Sequence, residues 1–291
     1  MTFKIIPGLA DIARHYDGFI LDLWGVVHNG HAPYPGALES MAKLRENGAP
    51  LILLSNAPRT HNYVVDFLTQ MGIERTCYDH ILTSGDLTRE ALENRQYALL
   101  QGAGTRFYQI GAVRDKGLEK DLDYARVSSI DEAGFIICTG LVNDEVETPE
   151  DYRTLLQEAL RRNLPMLCAN PDLTVMRGTN TIYCAGSIAA LYEQLGGRVL
   201  LFGKPYPEAY QGSMGKLGIM DPSRILAVGD SMRTDIKGAV AAGLDSVLIG
   251  GGIHAEEWGL TDGAAPANSQ VEQIIKLYGV TPTYVMGHMC W

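Results

Sequence analysis

The chain has 291 residues, enough to bury a sizeable core and above the usual length of a single domain, so two domains are expected rather than one large one. Its 24 Lys plus Arg against 34 Asp plus Glu give a net charge of −10, and no stretch gathers the basic residues into a patch, which argues against nucleic acid as a partner. No run approaches the roughly 18 to 20 apolar residues needed to cross a bilayer, and no basic leader precedes an apolar stretch. The five cysteines show no CxxC or mixed Cys/His ligand spacing, so a cytoplasmic protein with reduced thiols and no membrane partner is expected.

In chain order, Phe19-Ile20-Leu21 reads as a strand running into Asp22. Gly36 to Asn47 has helical apolar spacing and stops at Gly48. Leu51 to Leu54 is a second buried strand, entering Ser55, and Thr60 to Met71 a second helix ended by Gly72. Thr105 to Ile110, Gly134 to Cys138 and Pro165 to Ala169 read as further strands, with a helix over 149–162. Late in the chain, Ile225 to Val228 runs into Gly229-Asp230, a helix follows over 234–242, and Ser246 to Ile249 is another strand. Gly250-Gly251-Gly252 reads as a loop, and the tail from Tyr284 to Trp291 carries no recognisable chemistry. This alternation of strand and helix is the signature of a parallel sheet with helices on both faces, an α/β fold.

Spacing places an insertion. Asp22 and Ser55 are 33 residues apart, about one strand-helix unit, whereas Ser55 and Lys204 are 149 apart, far more than the roughly 30 residues of one unit. A domain with its own α/β core is expected over 85–183, leaving 1–84 and 184–291 to form the main sheet.

Several fragments carry groups suited to one reaction. An Asp at the carboxyl end of the first parallel strand sits in the crevice where open α/β sheets bind ligands, so Asp22 is placed to attack phosphorus and form an acyl-phosphate that water later opens. Read alone, such an Asp equally caps a turn. The Ser55 hydroxyl, with the backbone N–H groups of Asn56 and Ala57, suits phosphoryl oxygens. Lys204 supplies a compact positive charge able to pair with both nucleophile and phosphate. Asp230 and Asp235, in GDSMRTD, are oxygen donors of the kind that suits Mg²⁺, although Asp235 would also be favourable in the first turn of a helix.

At these residues the chain resembles the haloacid dehalogenase-like (HAD) hydrolase superfamily, and more closely its class IIA branch of NagD-like and p-nitrophenyl-phosphatase-like enzymes. The resemblance is carried by DxxG at Asp22, SNAPR at Ser55, TSGD at Thr83, ANPD at Ala169, GKP at Gly203 and GDSMRTDI at Gly229, in the family's order over nearly the whole chain. It implies a Rossmann-like, doubly wound core with an inserted α/β cap of the C2 type. It also implies that Asp22, the backbone carbonyl of Trp24 and Asp230 hold Mg²⁺ with Asp235 in support, and that Asn170 and Asp172 meet the substrate from the cap. The expected function is a Mg²⁺-dependent phosphatase acting on a small phosphorylated metabolite through an aspartyl-phosphate, and a homo-oligomer is allowed.

One residue departs from the pattern. Phosphatases of this superfamily have D-x-D, the second Asp protonating the leaving oxygen, whereas this segment reads Asp22-Leu23-Trp24, and an indole cannot be that acid. His28, four residues beyond Trp24, is the nearest candidate replacement. Alternatively the substrate has a good leaving group such as an acyl phosphate, or the protein binds a phosphorylated ligand with little turnover. An aromatic residue here is also seen in haloalkanoate dehalogenases, a reading that retention of Asp230 and Asp235 disfavours.

Overall fold

The computed structural model describes residues 3–115, 117–177, 180–260 and 263–291. Its larger sheet has seven strands in the order Lys4–Ile5, Tyr284–Met286, Asp245–Ile249, Ile225–Gly229, Gly18–Leu21, Leu51–Ser55, His80–Thr83, and every neighbouring pair is parallel. The three central strands are buried along their whole length, which is why they read as unbroken apolar runs rather than alternating ones. Successive residues still divide between two faces. Leu51 and Leu53 pack with Met41 and Leu44 of the helix Ala37–Glu46, while Ile52 and Leu54 pack with Ala209, Tyr210 and Met214 of the helix Pro207–Leu217.

Gly18–Leu21 is flanked by Leu51–Ser55 on one side and by Ile225–Gly229 on the other. The chain therefore leaves this central strand in one direction and returns on the opposite side, which creates a switch point with a crevice at the carboxyl ends of the strands. Asp22, Ser55 and Asp230 stand at those three ends.

A second, five-stranded parallel sheet has the order Val199–Leu201, Met166–Cys168, Phe135–Cys138, Arg106–Ile110, Ala125–Val127. Its own core joins Ile136, Cys138 and Met166 to Leu156 of the helix Arg153–Arg161 and to Ile188 and Tyr192 of the helix Ala185–Gln194. The border expected at residue 183 needs correction. Val199–Leu201 pairs with Met166–Cys168, so the chain leaves the second sheet only after Leu201. This edge strand is apolar but only three residues long and half-buried, and it gives little signal of which sheet it joins. A two-stranded antiparallel hairpin, Thr174–Arg177 with Asn180–Tyr183, completes the described strands.

Two further segments add to what the sequence shows. The tail is a strand: Tyr284–Met286 inserts between Lys4–Ile5 and Asp245–Ile249, joining the two ends of the chain in one sheet. The helix expected over 234–242 begins instead with a π turn, Met232–Ile236, before α geometry over Lys237–Ala241. All five cysteines are free thiols. Among the described residues, no helix is long and apolar enough to cross a membrane.

Candidate active site

Lys204 is the hub of the crevice. Its Nζ lies 2.6 Å from Asp22 Oδ1 and 2.7 Å from Asp235 Oδ1, with all three side chains almost wholly buried. It arrives by an unexpected route, following the edge strand Val199–Leu201 of the second sheet and entering the carboxyl end of the first as the chain crosses over. Asp235 is held from both sides, since the Ser231 N–H donates to its Oδ2 at 3.1 Å. The π turn Met232–Ile236 brings this carboxylate back under Asp230, and such turns recur at functional sites because they re-aim a side chain without ending the helix.

Asp22, Asp230 and Asp235 each offer an oxygen, and the three atoms lie within 4.8 Å of one another. Fully ionised, three carboxylates against one ammonium would leave two negative charges in a buried space, and the fold resists this. Burial, opposed by Lys204 and reinforced by Asp235, lifts the Asp22 carboxyl to about 7. Burial together with repulsion from Asp22 and Asp235 pushes Asp230 well above the carboxylate range. Burial alone would discharge Lys204, but Asp22 and Asp235 more than offset it and keep the ammonium charged. The charge of the ionised cluster and its all-oxygen donor set both fit a hard divalent cation, which would return these carboxyls to their ionised form.

Asp230 is confined by backbone. The Ile253 N–H donates to its Oδ2 at 2.8 Å. A Cβ on Gly252 would meet that oxygen at 2.2 Å, and one on Gly25, whose φ is +78°, would meet it at 1.8 Å. Gly252 comes from the glycine run that reads as a plain loop in the sequence. Gly252→Ala is expected to destabilise the protein by about 1–3 kcal/mol, because the carboxylate it would strike has no room to withdraw. An unchanged urea midpoint would show that the cradle is looser than this.

Two cavities meet at Asp22. One, of about 580 Å³, is bordered by Lys204, Asp230, Asp235 and Gly252; the other, of about 310 Å³, is bordered by Ser55, His28 and Asn170. Asp22, Trp24 and Asp172 border both. The structure thus gathers Asp22, Lys204, Asp230 and Asp235 tightly and places Ser55 in the adjoining chamber, where its Oγ accepts from the Ala57 N–H at 3.2 Å. Trp24 lies between the chambers, its indole packed on Gly30 and its ring 5.1 Å from that of His28.

His28 does not suit the role of replacement acid. Its ring is fully buried between Trp24 and Phe67, and burial lowers its pKa to about 4. Nδ1 accepts from the Gly30 N–H at 3.0 Å, which leaves the single proton of a neutral imidazole on Nε2, a group far too weakly acidic to protonate an alkoxide.

Asn170 and Asp172 are held in a turn, the Asn170 Oδ1 accepting from the Asp172 N–H at 2.9 Å. The Asn56 side chain has a task the sequence did not reveal. Its Nδ2 donates to Asp172 Oδ1 at 2.9 Å, while its Oδ1 accepts from the Lys204 N–H at 2.7 Å. One amide therefore fixes both the lysine loop and the turn that follows the strand Met166–Cys168 of the second sheet. Arg233 adds a parallel link, donating to the Pro171 carbonyl at 2.5 Å. Arg233 lies inside the GDSMRTD motif, which is the one sequence signal that could have drawn attention to it.

With this geometry in place, the comparisons with known proteins agree on the family. A family model described as haloacid dehalogenase-like hydrolase matches residues 19–125, and a second, HAD-hydrolase-like, matches 201–277. A crystal structure of a haloacid dehalogenase-like family hydrolase from Brucella suis 1330 is 37% identical, covers 98% of this chain and 100% of its own, and superimposes with a TM-score of 0.84. This chain is a haloacid dehalogenase-like hydrolase. Among curated relatives, it is similar to an acid sugar phosphatase of Staphylococcus epidermidis, 27% identical over 247 residues, covering 84% of this chain and 90% of the relative. It is also similar to the 5'-nucleotidase YutF of Bacillus subtilis, 25% identical over 258 residues, covering 88% of this chain and 95% of the relative. In this haloacid dehalogenase-like hydrolase the Rossmann-like core and the second sheet that caps it agree with the α/β class IIA architecture.

Proposed function

We propose that this hydrolase is a Mg²⁺-dependent phosphatase of a small phosphorylated metabolite that works through an aspartyl-phosphate on Asp22. The buried cluster of Asp22, Lys204, Asp230 and Asp235 carries the reading, because its charge and donor atoms suit a cation and a phosphoryl group together. The similarity to relatives named as an acid sugar phosphatase and a 5'-nucleotidase supports the same reaction class.

In this mechanism an Asp22 oxygen attacks phosphorus, the bond from phosphorus to the leaving oxygen breaks, and that oxygen departs with the electron pair. Lys204 and Ser55 hold the phosphoryl oxygens, helped by the backbone N–H groups of Asn56 and Ala57. Water then attacks the same phosphorus and frees Asp22 with release of phosphate. Asp22, Asp230 and the Trp24 carbonyl would hold Mg²⁺ with Asp235 in support, and the ion offsets phosphoryl charge when bound. Asn170 and Asp172 meet the substrate from above, and the second sheet shields the crevice from water.

Nothing at Trp24 or His28 can protonate a departing alkoxide, so leaving groups that depart as stable anions should be favoured. With Mg²⁺, p-nitrophenyl phosphate is expected to turn over and simple alkyl phosphates to lag by roughly 10²- to 10⁴-fold beyond a matched enzyme with the acid present. Chelation with EDTA should abolish both activities. A second reading, a phospho-ligand binding protein with little turnover, draws on the same missing acid; absence of turnover with every ester would favour it. Dehalogenation is disfavoured because the acidic cluster would have no task.

A further inference from the structure

Asp235 is gripped at two points by one short segment of chain. Lys204 Nζ meets its Oδ1 at 2.7 Å, and the hydroxyl of Tyr210, six residues further along, donates to its backbone carbonyl at 2.9 Å. The Thr234 carbonyl lies 3.4 Å from the same hydroxyl. Tyr210 belongs to the helix Pro207–Leu217, which begins just after the lysine loop, and is 1% exposed.

Both carbonyls lie in the π turn Met232–Ile236, where Thr234 and Asp235 are buried. A π turn departs from the regular α-helical ladder, and a buried carbonyl there is stabilised by a donor from outside the helix. The packing leaves the phenol little choice of position. A Cβ on Gly238 would meet its ring at 2.3 Å and its hydroxyl at 2.6 Å, so the ring lies directly against the backbone of the helix Lys237–Ala241. On the other side, a Cβ on Gly229 would meet the Asp235 Cβ at 2.1 Å. Asp235 is therefore confined between the end of the strand Ile225–Gly229 and the Tyr210 hydroxyl.

We propose that Tyr210 is a positioning residue for the cation site, its hydroxyl fixing through the π turn the carboxylate of Asp235 that braces Lys204 and stands beside Asp22 and Asp230. This inference rests on the cation-dependent phosphatase reading of the cluster. The Asp235 Cα carries both the carbonyl that Tyr210 holds and the side chain that Lys204 holds, so a shift of the turn moves the carboxylate with it. That carboxylate has an oxygen within 4.8 Å of oxygens of Asp22 and Asp230, close enough for its position to set the field at a bound ion. Partners that orient metal-binding groups in this way are worth about 10- to 100-fold in metal affinity or activity.

The test removes the hydroxyl and keeps the ring, in Tyr210→Phe. Ser213→Ala is the comparison, because Ser213 is also buried on this helix and donates to the Ala209 carbonyl at 2.7 Å, a bond internal to the helix. Both variants should lower the urea midpoint, as the loss of a buried hydroxyl requires. Calorimetric titration with Mg²⁺ alone should show about tenfold weaker binding in Tyr210→Phe and unchanged binding in Ser213→Ala. The Mg²⁺ concentration for half-activation of p-nitrophenyl phosphate hydrolysis should rise by the same factor. A Tyr210→Phe affinity within about twofold of the unmodified protein, equal weakening in both variants, or no Mg²⁺ binding by the unmodified protein would overturn the inference. Absence of hydrolysis with Mg²⁺ bound strikes the phosphatase reading alone, because the titration is read without turnover.

Discussion

Asp22→Asn is expected to lower kcat for p-nitrophenyl phosphate by about 10⁴-fold or more, the scale seen when a nucleophile acting in concert with its neighbours is removed. The amide nearly matches the carboxyl in shape, so the fold should survive, yet it has no charged oxygen with which to attack phosphorus. Circular dichroism and the urea midpoint should report an intact protein. The variant also lightens a buried site that holds three carboxylates against one ammonium, so a large loss of stability is not expected. Residual activity within tenfold of the unmodified protein would remove Asp22 as the nucleophile.

Lys204→Met should have the opposite profile, with a large cost in stability as well as activity. Lys204 is 3% exposed, and its ammonium contacts Asp22 and Asp235 at 2.6 and 2.7 Å. Its removal leaves two buried carboxylates without their cation, a change that costs about 3–5 kcal/mol when one partner of a buried pair is deleted. The sign of the pH dependence follows from Asp22. Because burial raises its carboxyl to about 7 in the folded protein, the associated stability is fully present below the ordinary carboxylate range and is lost as pH rises through about 7. That loss should deepen in Lys204→Met, making the variant more stable at pH 5 than at pH 8 in EDTA. Mg²⁺ should restore part of the difference at pH 8. Urea unfolding at the two pH values, with and without the ion, measures all of this, and an unfolding free energy within about 1 kcal/mol of that of the unmodified protein would show that Lys204 does not neutralise the cluster.

The central strands were legible because both of their faces are buried. Ile52 and Leu54 serve one core while Leu51 and Leu53 serve another, so every position must be apolar and the run is unmistakable. Their carboxyl ends were equally legible, since Asp22, Ser55 and Asp230 interrupt those runs with polar groups. Short strands escape this logic. Val199–Leu201 and Tyr284–Met286 are three residues long, and only pairing with distant segments tells which sheet each one joins. His28 shows the same gap on the scale of one side chain: the sequence identifies an imidazole near the site, and only packing against Trp24 and Phe67 reveals that it is held neutral.

The sequence by itself determined the α/β class, the insertion, and the acidic, hydroxyl and ammonium groups available for chemistry, because those follow from periodicity, interval and residue type. Only the tertiary structure decided how Lys204 crosses from the second sheet to bridge Asp22 and Asp235, how Gly25 and Gly252 press on Asp230, and how Tyr210 reaches the carbonyl of Asp235. Those arrangements depend on side chains far apart in the chain being held at contact distance in a low-dielectric interior, where a charge's neighbours set both its protonation and its use.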